Sequence, residues 1–184
     1  ASVGMNRGDC RILITRDKEN RILTVEDNGI GMTKEELEQN LGTIAHSGSL
    51  DFKKDNKDEN IDIIGQFGVG FYSSFMVADK VTVISKAYGS DEAWQWESSG
   101  VDGYEMTPAQ KDTAGTQIIL HIKPDTETDH YDNFLDEYGI VAIVKKYSDY
   151  VRYPIQMERQ HERQKPEPDP KPEDYKPEWE SYTE

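Results

Sequence analysis

The sequence predicts an α+β domain, a two-layer sandwich in which helices cover one face of a mixed, mostly antiparallel sheet. Several short segments alternate apolar and polar residues, which is typical of strands with one buried face, whereas other segments carry apolar residues at helical spacing. Strand-like and helix-like segments follow one another irregularly, without the strict alternation of a parallel fold. The 184 residues and the 35% hydrophobic content suit one core followed by a polar tail.

The chain is expected to begin with a β-hairpin and a capped helix. Residues 10–15 and 21–26 are rich in β-branched and aliphatic residues, and the polar residues 17–20 between them indicate a turn. Thr33 is a favourable helix N-cap residue, and Glu36 follows three positions later, as in a capping box. We therefore expect two antiparallel strands and then a short helix.

The rest of the domain is expected to contain a charged loop and then a series of helices and strands. Residues 48–63 are highly charged and lack periodicity, so we expect a loop or lid over about residues 40–64. The apolar residues 69–78 predict a buried helix, and residues 80–86 alternate as a strand does. Further strands are expected at 93–97, 103–106, 116–122 and 154–158, and further helices at 131–137 and 140–150.

The composition changes after residue 158. Residues 159–184 contain many charges and almost no aliphatic side chain, and proline occupies every second position from 166 to 172. Such a segment cannot build a core and favours extended polyproline II. We therefore expect residues 1–158 to be the folded domain and 159–184 to be a charged, proline-rich linker. A ligand for an SH3-type domain is the alternative interpretation.

Charge and cysteine content restrict the partners and the compartment. The formal net charge of −15 opposes binding to nucleic acid or to an anionic membrane, because both would repel this surface. Cys10 is the only cysteine, which fits a reducing compartment. No apolar run approaches the roughly 18 residues needed to span a bilayer. A cytoplasmic location is therefore expected.

A glycine-rich turn at residues 65–70 runs into the apolar segment that follows it. Glycine can adopt positive φ and lets backbone amides approach an anion closely, and the start of a helix carries unpaired N–H groups. The pattern indicates a phosphate-binding loop that includes Gly65, Gly68 and Gly70. An ordinary loop is the alternative, since glycine-rich turns before helices are common.

Asp27 ends a predicted strand and is followed by Asn28, Gly29 and Gly31. A carboxylate at a strand end, beside two glycines that leave space, can accept a hydrogen bond from the amino group of a heterocycle such as adenine. Met32 offers a polarizable side chain to a flat ring. The alternatives are a tight hairpin turn at Asn28-Gly29 and a core position for Met32.

Four motifs, in this order and spacing, resemble the ATP-binding domain of the heat-shock protein 90 chaperones, most closely the bacterial members. They are Asp-Asn-Gly-Ile-Gly-Met at 27–32, Leu-Gly-Thr-Ile-Ala-His-Ser-Gly at 41–48, Gly-Gln-Phe-Gly-Val-Gly-Phe-Tyr-Ser-Ser-Phe at 65–75 and Gly-Thr at 115–116. The wider GHKL superfamily also includes DNA gyrase, MutL and sensor histidine kinases. The resemblance covers about residues 10–158 and implies a Bergerat-type fold without its usual N-terminal strand and helices.

The resemblance implies a site for ATP or ADP. Asp27 would accept the adenine amino group, Gly31 and Thr116 would complete the adenine site, and Met32 would pack on the ring. The second glycine-rich motif would wrap the phosphates through backbone amides. The full set implied to bind the nucleotide is Asp27, Gly29, Gly31, Met32, Asn40, Leu41, Ser47, Gly48, Gly65, Gln66, Phe67, Gly68, Val69, Gly70, Phe71 and Thr116.

Two departures from the family pattern affect the expected chemistry. The family's catalytic glutamate and magnesium-binding asparagine lie on a helix upstream of the first strand, and residues 1–9 do not match it. We therefore expect no catalytic residue in this chain, negligible hydrolysis by it alone, and no protein ligand here for the Mg²⁺ that accompanies ATP. His46 stands where the family usually has a lysine.

The function implied is that of the nucleotide domain of an ATP-driven chaperone, a weak ATPase as a whole protein. Lid closure over ATP would be coupled to the folding of client proteins, in a homodimer, as part of a stress response. One alternative is another GHKL ATPase, of the histidine-kinase or topoisomerase type. The other is an interaction module that does not hydrolyse ATP.

Overall fold

A computed structural model describes residues 7–42, 70–100, 103–166, 176 and 179–183. Short 3-10 turns occur at Arg7–Asp9, Phe71–Ser73 and Tyr131–Phe134. The helices and strands, in chain order, are β1 (Ile12–Asp17), β2 (Ile22–Asp27), α1 (Lys34–Leu41), α2 (Ser74–Val77), β3 (Ala78–Lys86), β4 (Ala93–Ser98), β5 (Glu105–Ala109), β6 (Gly115–Ile122), α3 (Glu137–Tyr147), β7 (Ile155–Met157), β8 (Gln160–Gln164) and β9 (Trp179–Thr183).

Seven of these strands form one sheet in the order β5-β4-β3-β6-β2-β1-β7. Every neighbouring pair is antiparallel except β1 and β7, which run parallel. The predicted hairpin is β1 and β2, in which Ile14 faces Val25. The expectation of a mixed, mostly antiparallel sheet is confirmed.

One face of this sheet carries the core, and the helices pack on it. The register places Val83 beside Trp96 and Ile118, and Ile118 in turn beside Val25, so these side chains share a face. Leu37 of α1 is fully buried against this group. A second cluster on the same face combines residues of β1, β2 and β6 with α3, and its buried members are Ile14, Leu23, Ile122, Leu135 and Ile140. The predicted helix layer on one face of the sheet is confirmed.

Helix α1 begins at the predicted capping box. The Thr33 hydroxyl accepts a hydrogen bond from the Glu36 amide at 3.3 Å, and the Glu36 carboxylate accepts one from the Thr33 amide at 2.8 Å. Leu37 and Leu41 lie one turn apart and both point into the core. Local sequence therefore determines where α1 begins and which face it buries.

Helix α3 is also capped by a side chain, but it begins earlier than predicted. The Asp136 carboxylate accepts from the Tyr138 amide at 3.0 Å and from the Gly139 amide at 3.2 Å. These bonds hold the pKa of Asp136 below its usual value. The helix expected at 131–137 is a single 3-10 turn, and α3 replaces the helix expected at 140–150.

Glu137, the first residue of α3, pairs with an arginine of β1 and with one that lies between β7 and β8. Its carboxylate lies 3.2 Å from the Arg16 guanidinium of β1 and 2.6 Å from that of Arg159, which precedes β8. The side chains of Glu137 and Arg16 are only 14% and 18% exposed, so the pair is little screened by water. This bridge fixes the start of α3 against the sheet edge.

The buried helix expected at 69–78 is much shorter. It consists of the 3-10 turn at Phe71–Ser73 and the single turn of α2, and Met76 is 70% exposed. The helix ends because Ala78 is already extended and pairs with Ile122 in the sheet. Sheet pairing thus overrides helix periodicity at this point.

Strand β5 is displaced from the expected residues 103–106 to Glu105–Ala109 and includes Pro108. Proline has no amide hydrogen and is tolerated at the edge of a sheet. Because β5 pairs only with β4 in the strand order, it is such an edge.

Part of the tail forms a hairpin that the sequence did not predict. Strands β8 and β9 pair antiparallel, with Gln160 opposite Thr183 and Gln164 opposite Trp179. The prediction of extended polyproline II over the whole of 159–184 is therefore wrong for the residues of β8 and β9. The linker role and the boundary at residue 158 stay predictions, and the lid predicted at about 40–64 lies almost entirely outside the described residues. Within the described part, no helix is long and apolar enough to cross a membrane.

Candidate functional site

The sheet register brings Asp27, Thr116 and Ser85 into one row across three neighbouring strands. Asp27 at the end of β2 faces Thr116 of β6, and Thr116 faces Ser85 of β3. All three lie on the face that carries the core, because Val25, Ile118 and Val83 stand two residues before or after them. Ser85 is fully buried and Thr116 is 8% exposed, whereas Asp27 is only partly buried. We call these three residues the polar row.

The Asp27 carboxylate has one oxygen bound and one oxygen available. Oδ1 accepts a hydrogen bond from the Gly29 amide at 2.8 Å. Within the described part of the chain, no residue donates to Oδ2. A partly buried carboxylate oxygen without a donor is a strong acceptor for a ligand N–H group.

The loop from Asn28 to Met32 leads to α1 and is not a hairpin turn, so the hairpin alternative is wrong. The Asn28 side chain ties the loop to the preceding segment. Its Nδ2 donates to the Asp9 carbonyl, and its Oδ1 accepts from the Arg11 amide, both at 2.7 Å. On the other side of the loop, the Ile30 carbonyl accepts from the Tyr88 amide at 2.7 Å. The loop that carries the candidate ligand contacts is therefore anchored at both ends.

Two glycines allow this loop to pack directly on the backbone of the sheet. Gly31 has φ of +61°, and a Cβ placed on it would lie 1.9 Å from the Lys86 carbonyl oxygen. Gly115 has φ of +126°, and its Cβ would lie 2.2 Å from the Asp27 carbonyl oxygen. Both positions therefore need glycine for main-chain contact, whether or not a ligand is bound.

Gly29 is different, because a Cβ there would meet only the Asp27 side chain among the described residues. Its nearest contact would be Asp27 Oδ1 at 2.8 Å. Of the two glycines in the motif, Gly29 is thus the one that leaves space beside the carboxylate.

Ser85 was not among the predicted site residues. Its hydroxyl accepts a hydrogen bond from the Met32 amide at 2.8 Å, lies 2.9 Å from the Thr116 hydroxyl, and reaches the Gly115 carbonyl at 3.2 Å. The sequence did contain a signal, because Ser85 continues the inward-facing series of Val81 and Val83. A polar residue at such a core position requires partners.

Three further predicted residues lie on or near α1. Met32 packs against the core cluster, in agreement with the alternative interpretation that it occupies a core position. Its sulfur also lies 3.7 Å from Asn40 Nδ2. Leu41 is 7% exposed, and its side chain belongs to the core rather than to the polar row. Its carbonyl accepts a hydrogen bond from the Tyr72 hydroxyl at 2.7 Å. Burial raises the pKa of Tyr72 above its ordinary value.

Only Gly70 and Phe71 of the predicted phosphate loop are described. Gly70 has φ of −59° and ψ of −41°, so it does not use the positive φ that glycine can adopt. Phe71 packs edge-on against Trp96, with ring centroids 5.4 Å apart. His46 lies outside the described residues. So do the remaining predicted ligand contacts, which are Ser47, Gly48, Gly65, Gln66, Phe67, Gly68 and Val69.

The chemistry of the described site is that of recognition by hydrogen bonds. It offers a carboxylate acceptor, a hydroxyl that can donate or accept, and an apolar thioether beside them. Within the described ranges, no group of three or more His, Cys, Asp or Glu side chains could hold a metal ion.

These features suit the recognition of a small polar ligand, and the comparisons with known proteins define the class of the domain. Residues 5–123 match the family described as histidine kinase-, DNA gyrase B- and HSP90-like ATPases. The chain belongs to this ATPase family.

Within the family, the chain is similar to bacterial chaperone proteins named HtpG. It is 56% identical over all 184 residues to the one from Clostridium botulinum strain Loch Maree, of which it covers 28%. It is 59% identical over 160 residues to that of Natranaerobius thermophilus and 60% over 158 residues to that of Bacillus licheniformis. Each of these two matches covers 85% of this chain, but only 26% and 25% of the relative.

These findings confirm that the chain is an ATP-binding domain of the HSP90 chaperone type. None of them favours the histidine-kinase or topoisomerase alternative. The chain spans about a quarter of the length of the curated relatives it matches.

Proposed function

We propose that the chain binds ATP and ADP with the adenine edge against Asp27. The observation that carries this proposal is the acceptor Oδ2 of Asp27, which has no donor among the described residues although the loop around it is anchored by hydrogen bonds. The 6-amino group of adenine is a suitable donor for this oxygen. Such a bond favours adenine over 6-oxopurines, which present an acceptor at the same position.

The neighbouring residues complete the proposed adenine site. Thr116 offers a hydroxyl one strand away from Asp27, and Gly29 leaves open space beside the carboxylate. Met32 and Asn40 lie next to each other and would approach the base and the sugar. Leu41 would contribute through its backbone, since its side chain is in the core.

The phosphates are assigned to the second glycine-rich motif and to the lid. Backbone amides of residues 65–71 would bind the phosphate oxygens, and Ser47 and Gly48 would lie at the lid hinge. Mg²⁺ would accompany ATP and neutralise part of the phosphate charge. The support for these assignments is the resemblance of the motifs in this chain to those of the family.

For the whole protein, we propose an ATP-dependent chaperone. ATP-driven lid closure would change how two protomers and a client protein contact one another. The support is similarity to relatives whose names describe them as chaperones. A homodimeric state, a cytoplasmic location and a part in the stress response belong to the same proposal.

Hydrolysis by this chain alone is proposed to be negligible. The resemblance places the catalytic glutamate and the magnesium-binding asparagine on a helix before β1, and residues 1–9 match neither. ATP turnover by this chain can be compared with turnover by a version extended upstream by the corresponding segment of a relative. Equal turnover in the two proteins would overturn this part of the proposal.

The adenine assignment is tested by replacing Asp27 with Asn. A hydrogen bond to a charged group contributes about 1.5 to 3 kcal/mol, so D27N should weaken ADP binding by roughly ten- to a hundredfold. Titration calorimetry measures the effect, and circular dichroism checks that the variant is folded.

Glu26→Gln is the matched control. It removes the same charge one residue earlier, on the opposite face of the sheet, where Glu26 pairs with Lys111. ADP affinity should be retained in this variant. Equal affinity of D27N and the unsubstituted chain for ADP would contradict the proposed function.

A further inference from the structure

Asn28 directly follows the proposed adenine contact, and its side chain bonds to the backbone of another segment. Its Nδ2 donates to the Asp9 carbonyl and its Oδ1 accepts from the Arg11 amide, both at 2.7 Å. These two backbone groups lie in the segment that leads into β1. One side chain therefore joins the loop after β2 to this segment through two hydrogen bonds.

We propose that Asn28 is a positioning residue for adenine recognition, and that it acts through the carboxylate of Asp27. It fixes the peptide group that holds one oxygen of this carboxylate, so that the other oxygen meets the ligand in a constant orientation. This inference rests on the proposed binding of adenine nucleotides at Asp27.

The link between the two residues is the amide of Gly29. This amide donates to Asp27 Oδ1 at 2.8 Å and thereby orients the whole carboxylate. The amide belongs to the planar peptide group that joins Asn28 to Gly29, so its direction turns with the backbone of Asn28. An anchored Asn28 therefore fixes the direction of the hydrogen bond that orients Asp27.

Gly29 cannot fix this peptide group by itself. Glycine has the widest choice of backbone conformations, and the lack of a side chain here is what leaves space beside the carboxylate. The loop therefore needs constraints on both sides of Gly29. On one side, the Ile30 carbonyl accepts a hydrogen bond from the Tyr88 amide at 2.7 Å. On the other side, the side chain of Asn28 supplies the hydrogen-bonded constraint.

The orientation of the carboxylate determines how well Asp27 Oδ2 meets the adenine amino group. Hydrogen bonds weaken steeply away from linear geometry, and an acceptor that is already fixed loses less conformational freedom on binding. A 6-oxopurine has no donor at this position, so it gains nothing from a well-oriented Oδ2. Asn28 thereby supports the preference for adenine through Asp27.

The test is a double-mutant cycle between Asn28 and Asp27, measured as ADP affinity on variants that circular dichroism shows to be folded. Asn28→Ala should weaken ADP binding by about three- to tenfold, less than D27N does, because the carboxylate remains and only its orientation is lost. In the D27N background, the same substitution should change ADP affinity by less than about twofold, since the bond it serves is already absent. Equal effects in the two backgrounds would show that Asn28 does not act through Asp27 and would overturn the proposal.

Discrimination between bases supplies a second readout. Asn28→Ala should not weaken the binding of inosine diphosphate, which has a 6-oxo group in place of the amino group that donates to Asp27. The ratio of ADP affinity to inosine diphosphate affinity should therefore fall. A merely structural role would weaken both ligands alike and leave the ratio unchanged, and that result would also overturn the proposal.

Asn20→Ala is the matched control. Asn20 is also an asparagine next to a strand of the same hairpin, but it lies in the turn at the opposite end from Asp27. Its Nδ2 donates to Asp17 Oδ2 at 2.7 Å, so this variant also removes a short side-chain hydrogen bond. ADP affinity and the ratio should both be retained. An equal loss of discrimination in N20A and N28A would count against a specific role of Asn28.

Two further results separate the possible failures. If N28A does not fold, Asn28→Ser keeps a polar side chain that is too short to reach both partners, and the ratio should again fall. An unchanged ratio in folded N28S would overturn the proposal. If the unsubstituted chain does not bind ADP, the proposed function itself fails, whereas normal ADP binding with no effect of Asn28 refutes only this inference.

Discussion

The two ends of the candidate site are built in different ways. The carboxylate end comprises Asp27–Met32 together with Ser85, Gly115 and Thr116, and it is held by main-chain contact and by a buried hydroxyl. The aromatic end comprises Gly70–Val77 together with Leu41 and Trp96, and it is held by ring packing and by one phenol hydrogen bond.

Glycine has a different role at each end. Gly31 has a left-handed backbone and no room for a side chain, whereas Gly70 has a helical backbone and nothing within 4 Å of the position of a Cβ. Glycine is therefore required by the backbone structure at position 31 of the first motif. At position 70 of the second motif, the described residues do not require glycine.

The largest effect is expected for Gly31→Ala. The substitution forces a side chain into the Lys86 carbonyl and strains a positive φ, so the free energy of unfolding should fall by about 3 kcal/mol or more. Gly89→Ala is the control, because Gly89 has φ of +79° but open space around it, and it should lose only about 1 to 2 kcal/mol. Urea denaturation measures the free energy of unfolding of both variants. Equal losses of stability would show that the close contact at Gly31 does not add to the cost of the substitution.

A medium effect is expected for Tyr72→Phe at the aromatic end. The variant removes the hydrogen bond to the Leu41 carbonyl while leaving the ring packing in place, so stability should fall by about 0.5 to 1.5 kcal/mol. Tyr104→Phe is the matched control. The Tyr104 hydroxyl donates to the exposed Glu38 carboxylate at 3.2 Å, and its removal should cost less. A larger loss for Y104F than for Y72F would reverse our view of what anchors this end.

The smallest effect, and one of opposite sign, is expected for Gly70→Ala. Since φ and ψ at Gly70 suit alanine and no described atom obstructs a Cβ, the substitution should stabilise the chain by about 0.4 to 1 kcal/mol. Thermal unfolding followed by circular dichroism measures this change. Destabilisation comparable to that of Gly31→Ala would remove the distinction between the two ends.

Local features of the sequence could be predicted, and features that depend on strand register could not. The capping box of Thr33 and Glu36 and the hairpin of β1 and β2 each depend on residues close together in the chain. Ser85 and Thr116 are 31 residues apart and meet only because β3 and β6 pair in one particular register. Asp27 was predicted from its position at a strand end and Thr116 from motif resemblance. Neither argument contains the strand register, so neither pointed to Ser85.

The errors in the predicted elements have the same origin. The apolar residues at 69–78 fit a helix by periodicity, but pairing between Ala78 and Ile122 draws the end of that segment into the sheet. Strands β8 and β9 are polar and lack the usual alternation, and their pairing joins residues as far apart as Gln160 and Thr183. In both cases a distant partner decides the local structure.

The contact of Gly31 with Lys86 and of Gly115 with Asp27 has a practical consequence for engineering specificity. Because these contacts join peptide groups, they do not involve the side chain at position 27. A designer could therefore replace that carboxylate by another group that still accepts a hydrogen bond from the Gly29 amide, and so change the base preference while both backbone contacts are kept.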